Sequence, residues 1–589
     1  MLTVAMLSCN KRLEEYNPSG ATADAAWTTP QGFVTNVNGA YQEQRAFYGK
    51  EDGPLVSEAG TDLWFTANKM SYANQITKYI GLTGATPGSP TVAIFRLFYR
   101  AINVCNAGIN RIDNAGFTDM AEKNRRLGEL RFLRAFYYWH IVEQFGGIML
   151  RTTETTEVEL TATRSPVSAF YDLIISDLKF AADNLPVTWG EEYSRAAKKS
   201  ALGMLARAYL SRAYYATGQE RTDYFTLARN TANDIIARQG ELDTRLAASP
   251  ADLWNPANNK NPENRKEALY IISNSTNISL NYDLNANRLH AWYLTTYNGR
   301  PGLARSLVFG FDGQKRLQPT RYLLRLFNEQ IDGRYAASFQ ETWVANAFLP
   351  SSNPPAPFVW TAAAAATYGK AASVIGTPLT PGVSRAMEIT KQVVPDKATK
   401  PWVLYDENDL YNNAPGTPTD GTIKSLTDFV PLRKFIDLTR TAVDAQPGYN
   451  DIYVIRLAEM YLISAEAEFQ LGNFTAAATQ LNVLRTRAAI KTPVNQTLAM
   501  QITPTDVQQG GIDFILDERA RELCGEHMRW YDLKRTLSGA EFVNRIRKGN
   551  PDILATDVKD FHRLRPVPLT ELNALQNGAQ FGQNPGYTN

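Results

Sequence analysis

Residues able to do covalent or acid–base chemistry are few in this chain. It has four histidines (His140, His290, His527, His562) and three cysteines (Cys9, Cys105, Cys524) in 589 residues. No CxxC, HExxH or Cys/His cluster occurs, so zinc and iron–sulfur chemistry have no motif to rest on. The densest set of ionisable groups is residues 512–536, IDFILDERARELCGEHMRWYDLKRT. Glu518 and Glu526 with His527 could be read as a carboxylate pair for glycoside hydrolysis. That reaction needs two carboxylates at a set separation across a cleft, usually from different elements. A single predicted helix over 512–536, with Arg519, Arg521 and Arg529 interleaved among Glu518 and Glu522, fits a structural ion-pair network better. A formal net charge of +2 offers no field for nucleic acid or an anionic membrane surface. What remains is an aromatic- and Asn-rich chain: 10 Trp, 28 Tyr and 26 Phe.

The elements that must position these residues are mostly helical. Residues 127–145 place Leu127, Leu130, Leu133, Tyr137, Ile141 and Phe145 at spacings of three and four, and Gly146–Gly147 end the run. Phe132, Phe136, Tyr138 and Trp139 fill its other faces, so this helix should be buried nearly all round. Further helices are expected over 199–217, 225–239, 451–471 and 474–488, most of them stopped by glycine. The pairs 202–217 with 225–239, and 451–471 with 474–488, read as helical hairpins with alanine where backbones approach. They resemble tetratricopeptide units, which stack to bury a shared core. Tyr137, Tyr138, Trp139, Tyr209 and Trp530 are then core residues.

At the N-terminus MLTVAML ends on Ser8–Cys9, which resembles a bacterial lipobox with Cys9 as the lipidated residue, followed by a polar tether. No run of ~18–20 apolar residues follows, so the reading is anchored to the membrane rather than spanning it. From residue 241 to 450 Pro and Gly punctuate often, and eleven Asn fall between Asn255 and Asn298. A stretch this long is an elaborated lobe with short helices and a few strands (268–273 among them), not one loop. The expected organisation is a truncated signal and lipobox (1–9), a tether (10–24), an N-terminal helical part (25–240), an irregular ligand-binding lobe (241–450) and a C-terminal helical part (451–589). The two helical parts should pack as one scaffold.

Several motifs converge on one family. DERARELCGEHMRWYDLKR, the ending RPVP…QNPGY at 565–587, RLAEMYLISAEA from Arg456, LARAYL from Leu205, and RFLRAFYYWHIVEQFGGIML from Arg131 resemble blocks of the SusD/RagB-like nutrient-binding outer-membrane lipoproteins of Bacteroidetes. They run in family order from Cys9 to Tyr587. The resemblance implies a mostly α, tetratricopeptide-like scaffold with a variable lobe. It also implies a cell-surface protein sitting on a SusC-like TonB-dependent barrel transporter, binding oligosaccharide or sometimes peptide, with no catalysis and no cofactor. A glycoside hydrolase and a tetratricopeptide adaptor are the competing readings.

A sugar presents flat C–H faces between hydroxyl rims, which suit aromatic rings backed by Asn, Asp, Gln and Arg. On that chemistry the candidate ligand-binding residues are Asp62 and Trp64 in EAGTDLWF, then Trp292, Tyr293, Tyr297, Asn298 and Arg300 in LHAWYLTTYNGR, then Trp343 and Trp360. For each single aromatic the alternative is a plug in the core. Trp64→Ala and Trp292→Ala are expected to weaken glycan binding without lowering the melting temperature. A patch of Arg288, Arg300 and Arg305 would favour uronic acids. No DxDxDG loop is present, so no metal is assigned.

Overall fold

A computed structural model describes residues 27–66, 72–284, 287–349 and 354–588. Cys9, the lipobox and the tether lie outside the described residues. The molecule is mostly helical, 48% helix and 8% strand. Its principal helices are α1 (Ser89–Arg111), α2 (Met120–Phe145), α3 (Val167–Asn184), α4 (Lys198–Ala213), α5 (Gly218–Ala237), α6 (Ala362–Thr367), α7 (Leu457–Gln470), α8 (Phe474–Ala488), α9 (Pro504–Glu522), α10 (Arg529–Thr536) and α11 (Gly539–Gly549).

Helix α2 begins where the Asp119 side chain accepts from Ala121 N at 2.8 Å and stops at Gly146, whose φ of +71° a side chain would disfavour. Its rings are buried on every side, from Phe132 to Phe145, with α1 and α3 packed against it. The hairpins α4–α5 and α7–α8 form as the glycine and alanine pattern predicts, except that the start of the helix expected over 451–471 is strand, Ile452–Arg456, and the helix begins at Leu457. Helix α5 lies directly against α7, so the two hairpins make one stack although more than 200 residues separate them in sequence. The strand pair β2 (Ala268–Ile272) and β9 (Ile452–Arg456) ties the same two regions together, antiparallel and with a bulge.

Residues 512–536 do not form one helix. Helix α9 kinks at Gly511 (φ +60°), ends at Glu522, and is separated from α10 by a turn in which Gly525 (φ +74°) and His527 (φ +64°) are left-handed. A Cβ on Gly525 would sit 2.6 Å from Leu432, so the turn requires glycine. The ion-pair reading of this region holds. Arg456 reaches Glu267 (2.5 Å), Glu522 (3.2 Å) and Glu526 (2.6 Å), and Arg334 reaches Glu518 (2.8 Å) and Glu522 (3.4 Å), all buried. The surrounding guanidiniums hold Glu518 and Glu522 well below the usual carboxylate range although burial pushes the other way. Each of these carboxylates is ion-paired within the buried network.

The lobe between the helical regions is irregular. It carries β3 (Gln318–Pro319), which pairs with β1 (Trp64–Phe65), and a three-stranded sheet ordered β4–β7–β8 (Thr342–Val344, Arg385–Ile389, Val403–Tyr405). A short pair, β5 (Phe358–Val359) with β6 (Pro378–Leu379), lies beside it. Strand β4 runs antiparallel to β7, and β7 parallel to β8. One hydrophobic core runs from Trp27 through the helices into this lobe.

Candidate functional site

The lobe contains a groove of about 520 Å³ lined by Arg300, Leu303, Phe348, Leu349, Phe358 and Tyr368, among others. Three local devices build it. The first is a turn over 299–304, where Gly299 and Gly302 take positive φ and Leu303 N donates to Arg300 O at 2.9 Å. Gly302 O accepts from Asn346 N and Ala347 N, and Leu379 and Ala345 crowd the space a side chain there would need. The second is the extended chain beyond β4. Asn346 Nδ2 donates to Ala304 O and Asn346 Oδ1 accepts from Ala304 N, both at 2.9 Å, which clamps this chain to the turn. The third is α6, formed by the short alanine run and capped by Thr361, which presents Ala364, Thr367 and Tyr368.

The groove is unusual for the amount of apolar surface left open. Phe348 is 52% exposed and Leu349 39%, with Phe358 and Tyr368 half-buried beside them. Beneath them Trp360 is buried and meets both rings edge-on, with centroids 5.5 Å from Phe358 and 5.9 Å from Tyr368. Its Nε1 donates to Pro401 O at 3.0 Å. Arg300 lies at the rim, paired with Asp428 at 2.6 Å and 5.4 Å over the Tyr405 ring. Such a surface gives flat, rigid contact area with few charged groups, and among the described residues the groove lining holds no carboxylate.

The remaining candidates from the sequence are elsewhere. Asp62 is buried between Arg529 (2.6 Å) and Arg545 (2.9 Å), which overcome burial and hold its carboxyl below the usual range. Trp64 has no exposed surface and packs edge-on against Tyr293, itself buried with its hydroxyl donating to Gly525 O at 3.3 Å. Trp292 is 2% exposed under the Arg288 guanidinium, and Trp343 is buried behind β4. Tyr297 donates from its hydroxyl to Gly310 O at 2.5 Å, inside the core. Asn298 is exposed on the turn next to Arg300, where its Oδ1 accepts from Arg305 N. Of the nine, Arg300 lines the groove, Trp360 supports it, Asn298 adjoins it, and the other six side chains are taken up by packing or ion pairing. The mutational expectation for Trp64 and Trp292 changes accordingly: removing either ring opens a cavity in the core.

Phe348, Leu349, Phe358 and Tyr368 were not anticipated. The proline-rich flank of Phe358 marks the place, but nothing local says which side of an irregular strand faces outward.

A separate cavity of about 290 Å³ is lined by Arg45, Arg195 and Glu192 beside Tyr41 and Tyr270, whose hydroxyls are bound to Glu129 and Gln44. Among the described residues no group of three or more His, Cys, Asp and Glu could hold a metal ion, and no helix is long and apolar enough to cross a membrane.

Comparison with known proteins places the chain. A family model described as the SusD family matches residues 189–587, and a second, described as "Starch-binding associating with outer membrane", matches residues 35–210. SusD-like protein P2 of Formosa agariphila is 24% identical over 622 aligned positions, covering 100% of this chain and 98% of that protein. The crystal structure of a SusD homolog from Bacteroides thetaiotaomicron superposes with a TM-score of 0.67 at 18% identity, covering 96% of this chain and 99% of that one. A laminarin-binding SusD-like protein superposes with a TM-score of 0.61 at 18% identity, covering 95% and 100%.

Proposed function

Because the chain belongs to the SusD family, we propose that it is a surface glycan-binding protein of the outer membrane that captures oligosaccharide in the Phe348 groove. The observation that carries this reading is Phe348, 52% exposed, beside the half-buried rings of Phe358 and Tyr368, which Trp360 braces from below. Apolar surface left this open beside a groove marks a binding surface. In this reading Cys9 bears a lipid anchor, and the bound glycan passes to a SusC-like TonB-dependent barrel. The match to a laminarin-binding protein supports the glycan class, as does the description of the second family model.

The protein acts by binding, without turnover. Hydrolysis of a glycosidic bond needs two carboxylates flanking the sugar. The groove lining supplies none, and Asp428 at its edge is engaged by Arg300. Calorimetry with a panel of oligosaccharides tests the assignment. Phe348→Ala should weaken binding about tenfold, some 1.4 kcal/mol, and leave the melting temperature nearly unchanged because the ring is 52% exposed. Unaltered binding by Phe348→Ala removes the groove from consideration, and released reducing ends would overturn the account of a protein that only binds.

A further inference from the structure

The arginines expected to draw uronic acids are engaged. Arg300 is paired with Asp428, and Arg305 with Asp312 (2.9 Å) and Asp444 (2.7 Å). Arg288 donates to Gln446 and covers Trp292. Arg433 differs from all of them. It is half-buried, yet among the described residues its guanidinium has no ion pair, hydrogen bond or aromatic ring as partner. The arginines of this molecule that are as buried or more so each have at least one such contact, through Asp or Glu, a backbone carbonyl, an amide or a ring. Burial pulls the Arg433 guanidinium below its usual value and no neighbouring carboxylate opposes that. Its guanidinium nitrogens are not fully buried, so the charge can meet a ligand anion without first breaking an ion pair.

Arg433 lines a second groove of about 460 Å³ with Val308, Phe309, Tyr335, Gln340 and Thr342. Neither acid in that lining is paired with Arg433. Glu329 is paired with Lys391 at 2.6 Å, and Glu341 accepts from the Tyr335 hydroxyl at 2.6 Å. Neither competes for Arg433. Val308 is 58% exposed, so this groove also offers open apolar surface beside its charge.

The two grooves are joined by a single stretch of extended chain. Thr342 belongs to the Arg433 groove and Phe348 to the aromatic one. Between them exposure alternates: Thr342, Val344, Asn346 and Phe348 are exposed, while Trp343 and Ala345 are buried. A bulge between Trp343 and Val344 interrupts the strand, so the two grooves are linked by this short length of chain rather than by a shared strand face. At ~3.3 Å per residue the six steps span roughly 20 Å, room for several sugar rings.

We propose that Arg433 forms an anion subsite for an acidic glycan, its guanidinium receiving a carboxylate or sulfate while ring faces of the same glycan lie on the Phe348 groove. This rests on the glycan-binding reading of that groove. The planar fork of arginine matches a carboxylate in two parallel hydrogen bonds and accepts a sulfate in the same way.

The test is a panel of neutral, uronate-bearing and sulfated oligosaccharides, applied to the intact protein and to Arg433→Gln, with affinities by calorimetry. The intact protein should prefer acidic members. Arg433→Gln should lose on the order of tenfold on those members alone, keep its affinity for neutral ones and keep its melting temperature. Arg433→Lys, which retains the charge but not the fork, should recover part of the loss. Loss confined to uronates or to sulfates identifies which anion the subsite takes. Equal binding of acidic glycans by the intact protein and Arg433→Gln, or a preference for neutral ones in the intact protein, overturns the subsite and leaves the aromatic groove standing. Retention of no glycan at all overturns the glycan reading, and the subsite with it.

Discussion

At the scale of single residues, the same side-chain type does opposite work according to whether it covers something. Trp64 and Trp292 fill the core, whereas Phe348 keeps about half its surface open to solvent. Clustering in sequence could not separate these cases. In 289–300 the lobe has neither a period of 3.6 nor a clean alternation, so no pattern assigns an inside and an outside. Asp62 shows the complementary limit, since its partners Arg529 and Arg545 are more than 460 residues away. Glu58 supplies a residue-scale prediction. Burial raises its carboxyl from 4.5 to about 8, although Met528 N donates to it at 3.0 Å. Between those values the native state keeps the proton and the unfolded state releases it, so this group's contribution is full at low pH and falls as pH rises, by roughly 1.4 kcal/mol per unit. Glu58→Gln keeps an acceptor for Met528 and removes the titration. Its melting temperature relative to the parent protein should therefore climb steadily from pH 5 to pH 8. A constant difference would mean that Glu58 is ionised in the folded protein.

At the scale of elements, the region around residues 512–536 separates what composition reveals from what packing imposes. The alternation of Glu and Arg announced an ion-pair network, and one is present. The break between α9 and α10 was hidden, because GEHM has no proline and only one glycine to interrupt a helical pattern. It is enforced by neighbours: Leu432 closes off the space above Gly525, and the Met528 backbone is held by Glu58. The break turns Glu522 and Glu526 together onto Arg456 at the start of α7. Removing one partner of a buried pair strands the other charges. Arg456→Met leaves Arg487 as the one cation on Glu267 and Lys434 as the one on Glu526 among the described residues. It should cost about 3–5 kcal/mol in urea denaturation, far more than the loss of packing alone. A change under about 1 kcal/mol would mean that these carboxylates are protonated in the folded state.

At the scale of the whole molecule, the helical architecture was readable because its signals repeat. Leucine, alanine and aromatic residues recur at three and four, glycine stops the runs, and the hairpin design occurs in both halves. The lobe was readable only as a lobe, since its outward faces depend on pairings such as β4 with β7 that join distant segments. The contact of α5 with α7, and the pairing of Arg207 on α4 with Glu459 on α7 at 2.6 Å, make the early and late hairpins one body. Hydrogen exchange should therefore show α4, α5, α7 and α8 opening together with a common free energy, while amides of α6 exchange faster. Separate opening of α4–α5 would show that the two hairpins are independent units. This arrangement also bears on how the molecule is made. Synthesis runs from the N-terminus, so α4 and α5 emerge more than 200 residues before the surface they rest on. Until α7 arrives, Arg207 has no counter-ion and the face of α5 has no cover. A chain that ends before α7 therefore leaves the face of α5 and the charge of Arg207 uncovered.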